Sequence, residues 1–122
     1  CTEDFQFIHI NPDEAKEKAG FEGTIAHGFL VLSFFSNFAI QAAVALEGAQ
    51  VSINYGFGKL RFLNPVQSGS QVRGRFVLAD AVERKPDQWL LSYDVTVEIE
   101  GQSKPAIVAR WITLQILDTA AL

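Results

Sequence analysis

A long uncharged stretch from Phe29 to Leu46 constrains the fold of this chain more than any other feature. Its residues are mostly apolar, and at helical spacing the apolar side chains cover almost the whole circumference. A helix of that kind has to be buried, either in a protein core or in a membrane. We therefore predict one long buried helix, from Gly28 to Leu46, which the rest of the chain must cover.

The polar residues inside this stretch argue against a membrane span. Ser33, Ser36, Asn37 and Gln41 fall on or near one face of the predicted helix. Glu47 follows at once, and no Lys or Arg flanks either end, although such flanking residues are typical of membrane helices. We predict that the helix lies inside a protein and that the chain does not enter a membrane.

The part of the chain after the helix is typical of antiparallel strands joined by short turns. The residues from 91 to 99 alternate between apolar and polar, which indicates a strand with one buried face. Further strands are predicted at Val51–Phe62, Gln71–Val82 and Ala106–Leu117, with a hairpin loop at Arg84–Asp87. Three long strands in a row form a meander that must bury one face, and the long helix is the only large apolar partner. The pattern favours an α+β hotdog fold, an antiparallel sheet wrapped around one long central helix.

A shorter helix is predicted before the long one, from Pro12 to Ala19. Asn11 can cap it, Pro12 suits the first helical position, and Gly20 is typical of a helix end. The segment before it, Thr2 to Ile10, has no clear pattern.

Composition narrows the function classes. The 122 residues fit one domain, and a net charge of -4 without a Lys/Arg cluster predicts no binding to nucleic acid or anionic membranes. The single cysteine, Cys1, fits a reducing compartment, so we expect a cytoplasmic protein. Because the sequence holds no methionine, we expect an N-terminal segment to be absent from it. Two histidines and Cys1 show no metal-site spacing, and no phosphate-binding glycine loop is visible, so we predict no metal and no cofactor.

Several segments together resemble one known family. They are Asp4-Phe5-Gln6-Phe7-Ile8-His9, the run from Gly20 to Leu30 with its Ala26-His27-Gly28, and Asn54-Tyr55-Gly56 with Arg61-Phe62 and Pro65-Val66. They are similar to the signature of MaoC-like dehydratases and (R)-specific enoyl-CoA hydratases, over most of the chain from Asp4 to about Arg75. Gln6 and Phe7 stand where family members commonly have Asn-Pro. The chain thus looks closer to the nodulation-protein-N-like branch of the family.

The resemblance implies a hydratase or dehydratase that acts on acyl-CoA or acyl-carrier-protein thioesters. It implies that Asp4 and His9 are the catalytic pair that positions and activates water. From the residues alone, a spacing of five brings two side chains together only in a bent loop, because neither a regular helix nor a strand does so. An acid near a chain end can also be merely solvated, and His9 can simply pack beside Ile8 and Ile10.

The start of the long helix is the expected oxyanion site. Free N–H groups point outward there, and Gly28 has no Cβ to keep a thioester oxygen away from its amide. Gly28 could instead only let the helix enter a crowded core. His27 is either a site residue or a hydrogen-bonding residue that holds the loop. Ser36 is a candidate contact in the substrate pocket, whereas Ser33 is expected to bond back to the helix carbonyls.

Other interpretations remain open from the sequence. Arg61, Arg73 and Arg75 could meet a nucleotide phosphate or could be solvated strand residues. A hotdog thioesterase would want a carboxylate on or near the central helix, and Gly28 to Leu46 has none. A non-catalytic domain that binds acyl groups or mediates dimerisation is the third reading. An exposed sheet edge is normally paired or covered, so we expect a homodimer.

Overall fold

A computed structural model of the protein describes residues 1–118. It consists of four helices followed by four strands: α1 (Phe7–Ile10), α2 (Pro12–Ala19), α3 (Gly28–Ser33), α4 (Phe35–Ala42), β1 (Ala49–Phe62), β2 (Val72–Lys85), β3 (Gln88–Ile99) and β4 (Ile107–Leu117). The strands form one antiparallel sheet in the order β1-β4-β3-β2. The predicted meander of three consecutive strands, β2 to β4, is confirmed, and the predicted strands differ from the observed ones only at their ends.

Strand β3 forms the centre of the core. From Leu91 onward its odd-numbered residues are buried, as the alternation predicts, and they are Leu91, Tyr93, Val95, Val97 and Ile99. Trp111 of the neighbouring strand β4 packs with Phe35 of α4, with ring centroids 5.7 Å apart. Val31 of α3 belongs to the same cluster. The sheet therefore buries one face against the helices, as predicted.

The short helix α2 is confirmed at both ends. The Asn11 side chain accepts a hydrogen bond from the Glu14 amide at 3.2 Å, which satisfies one of the free donors of the first turn. Gly20 follows the last helical residue in the left-handed region, at φ 74°, where a residue with a Cβ would be strained.

The prediction of one long helix from Gly28 to Leu46 is wrong, because the helix breaks at Phe34. The Ser33 hydroxyl donates to the Leu30 carbonyl at 2.6 Å, which is the back-bond expected for this serine. The Phe34 amide then bonds to the Val31 carbonyl, three residues back, at 3.1 Å. A serine that occupies a helix carbonyl in this way bends the helix, so α3 and α4 are separate pieces.

The helical pair also ends earlier and is less buried than predicted. Helix α4 ends at Ala42, because side chains of the sheet hold the next residues. Both the Tyr93 hydroxyl and the Gln115 amide donate to the Val44 carbonyl, at 2.9 and 3.0 Å. Within this chain Phe29 is 74% exposed and Ile40 is 86% exposed, so one side of α3 and α4 has no cover from residues 1–118. None of the helices in this part of the chain has the length and apolar character needed to cross a bilayer.

Candidate active site

The turn at α1 brings Asp4 and His9 together. Asp4 lies in the irregular segment before α1, and His9 lies inside this single helical turn. Their facing atoms, Asp4 Oδ2 and His9 Nε2, are 3.7 Å apart. The His9 side chain is only 7% exposed, whereas that of Asp4 is 38% exposed. The bend that the spacing of the two residues requires is therefore present.

A backbone carbonyl determines which nitrogen of His9 is protonated. His9 Nδ1 lies 2.8 Å from the Ile25 carbonyl oxygen. A carbonyl only accepts, so Nδ1 carries the hydrogen and the neutral ring presents the lone pair of Nε2 to Asp4. Ile25 is itself held by α1, because its amide donates to the Ile8 carbonyl at 2.9 Å. The basic nitrogen of His9 thus faces the carboxylate.

Gln6 holds the Asp4 carboxylate in place. The Gln6 amide donates to Asp4 Oδ1 at 3.1 Å, and the Gln6 side chain donates to Asp4 Oδ2 at 3.2 Å. The first contact is a local turn of the kind that aspartate makes with the amide two residues on. The sequence shows Gln6 as a departure from the family pattern, but its two contacts with Asp4 became visible only in the structure.

His27 supports the pair from the other side. Its Nε2 donates to the Asp4 backbone carbonyl at 2.8 Å. Its ring stacks on that of His9, with centroids 4.0 Å apart and planes 26° apart. Of its two predicted roles, the structure shows the hydrogen-bonding residue that holds the loop, and it also places the ring beside His9.

Asp4, His9 and His27 form the cluster that a metal ion could use, since one ligand atom from each lies within 4.8 Å of the others. The sequence spacing did not indicate this cluster. Metal ligands point their lone pairs at a common centre. The lone pairs of His9 and His27 instead lie in two stacked ring planes only 26° apart. One nitrogen of His27 is moreover engaged with the Asp4 carbonyl. The geometry therefore suits a hydrogen-bonded water better than a metal ion.

Gly28 begins α3 and lies beside Phe62 of β1. A Cβ built on Gly28 would come within 3.0 Å of a carbon of the Phe62 ring. The helix therefore does begin in a crowded place, as expected if Gly28 serves to let it enter the core. Gly28 is nevertheless exposed, and the first amides of a helix have no partner inside that helix. Its N–H remains available to an acceptor that approaches from the adjacent cavity.

That cavity joins His9 to Gly28. It has a volume of about 420 Å³ and is otherwise mainly apolar, with Ile8, Phe21, Val31, Phe62 and Ile107 among its walls. The connection between β1 and β2 fixes the loop before α3 there, because the Ala26 amide donates to the Val66 carbonyl at 2.7 Å. A ligand in this space would meet a base on one side and a helix N-terminus on the other.

Ser36 does not line this cavity. It is exposed on α4 and borders two other cavities, further along the helical pair. The structure thus brings together Asp4, His9 and His27, places Gly28 in the same cavity as His9, and leaves Ser36 apart.

The three strand arginines lie on the outer face of the sheet. Arg73 donates to Glu98 Oε1 at 2.9 Å, and Arg75 contacts the same oxygen. These contacts, the one from Arg75 first, hold the pKa of Glu98 below its usual range. Arg61 donates to its neighbouring carbonyl at Leu60. None of these contacts joins an arginine to the cavity of His9 and Gly28.

Comparison with known proteins identifies the family. Residues 1–99 match the family described as MaoC like domain. The chain belongs to this family. Nodulation protein N of Rhizobium leguminosarum bv. viciae is 44% identical over 114 residues, which cover 93% of this chain and 71% of that protein. The 3-hydroxyacyl-thioester dehydratase Z of Mycobacterium tuberculosis is 39% identical over 113 residues, 92% of this chain and 73% of the relative.

A solved structure has the same fold. A protein described as a monoamine oxidase regulatory protein from Archaeoglobus fulgius superposes with a TM-score of 0.77, at 21% identity. The match covers 94% of this chain and 74% of the other. The predicted hotdog fold is therefore confirmed, with the corrections to its helix given above.

Proposed function

We propose that this MaoC-like protein hydrates 2-enoyl thioesters and dehydrates 3-hydroxyacyl thioesters, carried on coenzyme A or an acyl carrier protein. One observation carries the proposal. Asp4 Oδ2 and His9 Nε2 are two acceptors that face each other at 3.7 Å, which is too far for a direct hydrogen bond and suits a shared water. The dehydratase relative from Mycobacterium tuberculosis supports the same chemistry.

The roles follow from what each group can do. A water that donates one hydrogen to Asp4 and the other to His9 presents its oxygen to the β-carbon of an enoyl thioester. His9 Nε2 can take a proton from it, since Nδ1 is already protonated. The negative charge that develops on the thioester oxygen is stabilised by the Gly28 amide at the start of α3. The pair returns the proton to the α-carbon, so water is added without a redox step or a cofactor.

The test is loss of the enoyl-thioester absorbance when the full-length protein is added. A parallel assay for released thiol separates this proposal from its main rival, a thioesterase. The rival has some structural support, because a carboxylate oxygen of Asp4 lies within 4.8 Å of a ring nitrogen of His27, the residue that precedes α3. Thiol release without loss of the enoyl group would make the protein a thioesterase. Binding of acyl thioesters with neither reaction would make it a non-catalytic acyl-binding domain.

We also expect a homodimer. Strands β1 and β2 are the two edges of the sheet, and both expose large apolar side chains, which are Val51, Ile53, Tyr55 and Phe57 on β1 and Val77, Leu78 and Val82 on β2. Unpaired edges of this kind normally find a partner. Sedimentation of the full-length protein at micromolar concentration should give twice the monomer mass. A monomer under those conditions would contradict this prediction.

A further inference from the structure

The inner face of the sheet changes character along its length. At one end the paired residues are apolar, as where Ile107 of β4 pairs with Phe62 of β1 and Val97 of β3. At the other end β4 presents Thr113 and Gln115, which pair with Asn54 and Ser52 of β1. Polar residues at positions that face the helices are unexpected in a core. We call this end of the inner face the polar corner.

Hydrogen bonds explain why Gln115 is buried, whereas no contact within residues 1–118 explains the burial of the Thr113 hydroxyl. Both residues are 4% exposed. The Gln115 side chain accepts from the Leu46 amide and donates to the Val44 carbonyl, each at 3.0 Å, and so holds the chain after α4. The Thr113 hydroxyl is buried without any hydrogen-bond partner in residues 1–118. A buried hydroxyl without a partner destabilises a protein, and valine would fill the same space without that cost.

Thr113 borders a cavity of about 420 Å³ between α4 and the sheet, which we call the far groove and define by Ser36, Ser52, Asn54 and Thr113. The hydroxyl and the methyl of a threonine are similar in size, so a rotation about χ1 can direct the hydroxyl into the groove. Val44 also lines the far groove, and hydrogen bonds from Tyr93 and Gln115 to its carbonyl hold this segment in place.

A second cavity lies between the far groove and the start of α3. This smaller cavity of about 230 Å³ begins at Phe29, next to Gly28, and shares Ser36, Asn54 and Trp111 with the far groove. The rise of a helix places Ser36 about 12 Å beyond Gly28. An extended chain gains about 3.5 Å in three single bonds, so about ten bonds cover this distance. An acyl chain of about ten carbons whose thioester lies at Gly28 therefore has the length to reach Ser36, at the edge of the far groove.

We propose that the far groove selects acyl chains that carry a hydrogen-bonding group, such as a hydroxyl, near the tenth carbon, with Thr113 and Asn54 as its partners. The proposal rests on the proposed hydration of enoyl thioesters. The groove lies between α4 and the sheet, with the buried Thr113 in its wall. It therefore fits an acyl tail better than a carrier arm, which must continue outward to its coenzyme or carrier protein. The unpartnered hydroxyl of Thr113 then destabilises the protein without substrate, and the bound substrate gives this hydroxyl a hydrogen-bond partner.

The experiment compares 10-hydroxydec-2-enoyl-CoA with dec-2-enoyl-CoA on the full-length protein. The wild type should show a kcat/KM about tenfold higher for the hydroxylated chain, the scale of one hydrogen bond. Thr113→Val should remove this preference and raise Tm by a few degrees, because it removes an unpartnered buried hydroxyl. Asn54→Leu, on the exposed side of the groove, should weaken the preference without raising Tm. Thr96→Val is the matched control, since Thr96 lies on the opposite face of β3, and it should keep the preference.

Each other outcome has a defined meaning. Equal kcat/KM values for the two chains in the wild type, or a preference that survives Thr113→Val, would overturn the proposal and leave the hydratase function intact. If neither chain is hydrated, the proposed function fails, and the groove is tested by ligand-induced Tm shifts. A larger Tm shift with the hydroxylated chain that is lost in Thr113→Val still supports the assignment of the groove. Equal Tm shifts with the two chains overturn it. A last outcome is that Thr113→Val changes the ratio of the kcat/KM values for the coenzyme A and N-acetylcysteamine thioesters of one plain acyl chain. In that case the groove holds the carrier arm and the acyl assignment is wrong.

Discussion

Asp4→Asn and His9→Ala should each lower the turnover of enoyl thioesters by about 10² or more, the scale expected for general acid–base groups. Asn at position 4 can still accept from the Gln6 amide, but it removes the negative charge that faces His9 Nε2. Ala at position 9 removes the base itself. The measurement is kcat on the best enoyl thioester, followed by its absorbance.

A matched control tests whether the loss at position 4 is specific. Asp13→Asn changes an exposed carboxylate in the first turn of α2, and it should keep turnover close to that of the wild type. Because the His9 side chain is nearly buried, circular dichroism has to show that His9→Ala is folded. Wild-type kcat in both folded variants would refute the assignment of the pair.

Gly28→Val should abolish hydration, whereas His27→Gln should retain part of it. Losing an oxyanion donor costs about 10²–10³ in rate, and a side chain at position 28 would stand between the amide and the thioester. Gln at position 27 keeps a donor that can reach the Asp4 carbonyl, which is the contact that His27 makes. The assay is the same, with circular dichroism beside it.

The contact of Gly28 with Phe62 calls for a second comparison, because any side chain at position 28 would also press on that ring. Phe62→Ala makes room for it. If Gly28→Val acts by blocking the amide, the double variant should remain inactive when compared with Phe62→Ala alone. Recovery of activity in the double variant would show instead that displacement of Phe62 caused the loss. A folded Gly28→Val protein with the wild-type rate would exclude the Gly28 amide as donor.

Local sequence signals determined most of the secondary structure. The alternation in β3 depends only on which face of a strand is buried, and Asn11, Pro12 and Gly20 act through contacts within a few residues. The family signature likewise named Asp4, His9 and Gly28 as site residues, although their roles stay predictions until they are tested. The signature could do this because the residues that form the proposed site lie in short segments near the start of the chain.

The tertiary structure alone decided the features that depend on distant groups. The sequence from Gly28 to Leu46 has the composition of one helix, but Tyr93 and Gln115 of the sheet hold the Val44 carbonyl, and the helical pair ends at Ala42. The protonated nitrogen of His9 follows from the Ile25 carbonyl, and the crowding at Gly28 follows from Phe62. Thr113 is one polar residue in an apolar strand until the fold buries its hydroxyl without a partner. The physical reason is common to all four: each depends on the contact of groups far apart in sequence, which no local pattern records.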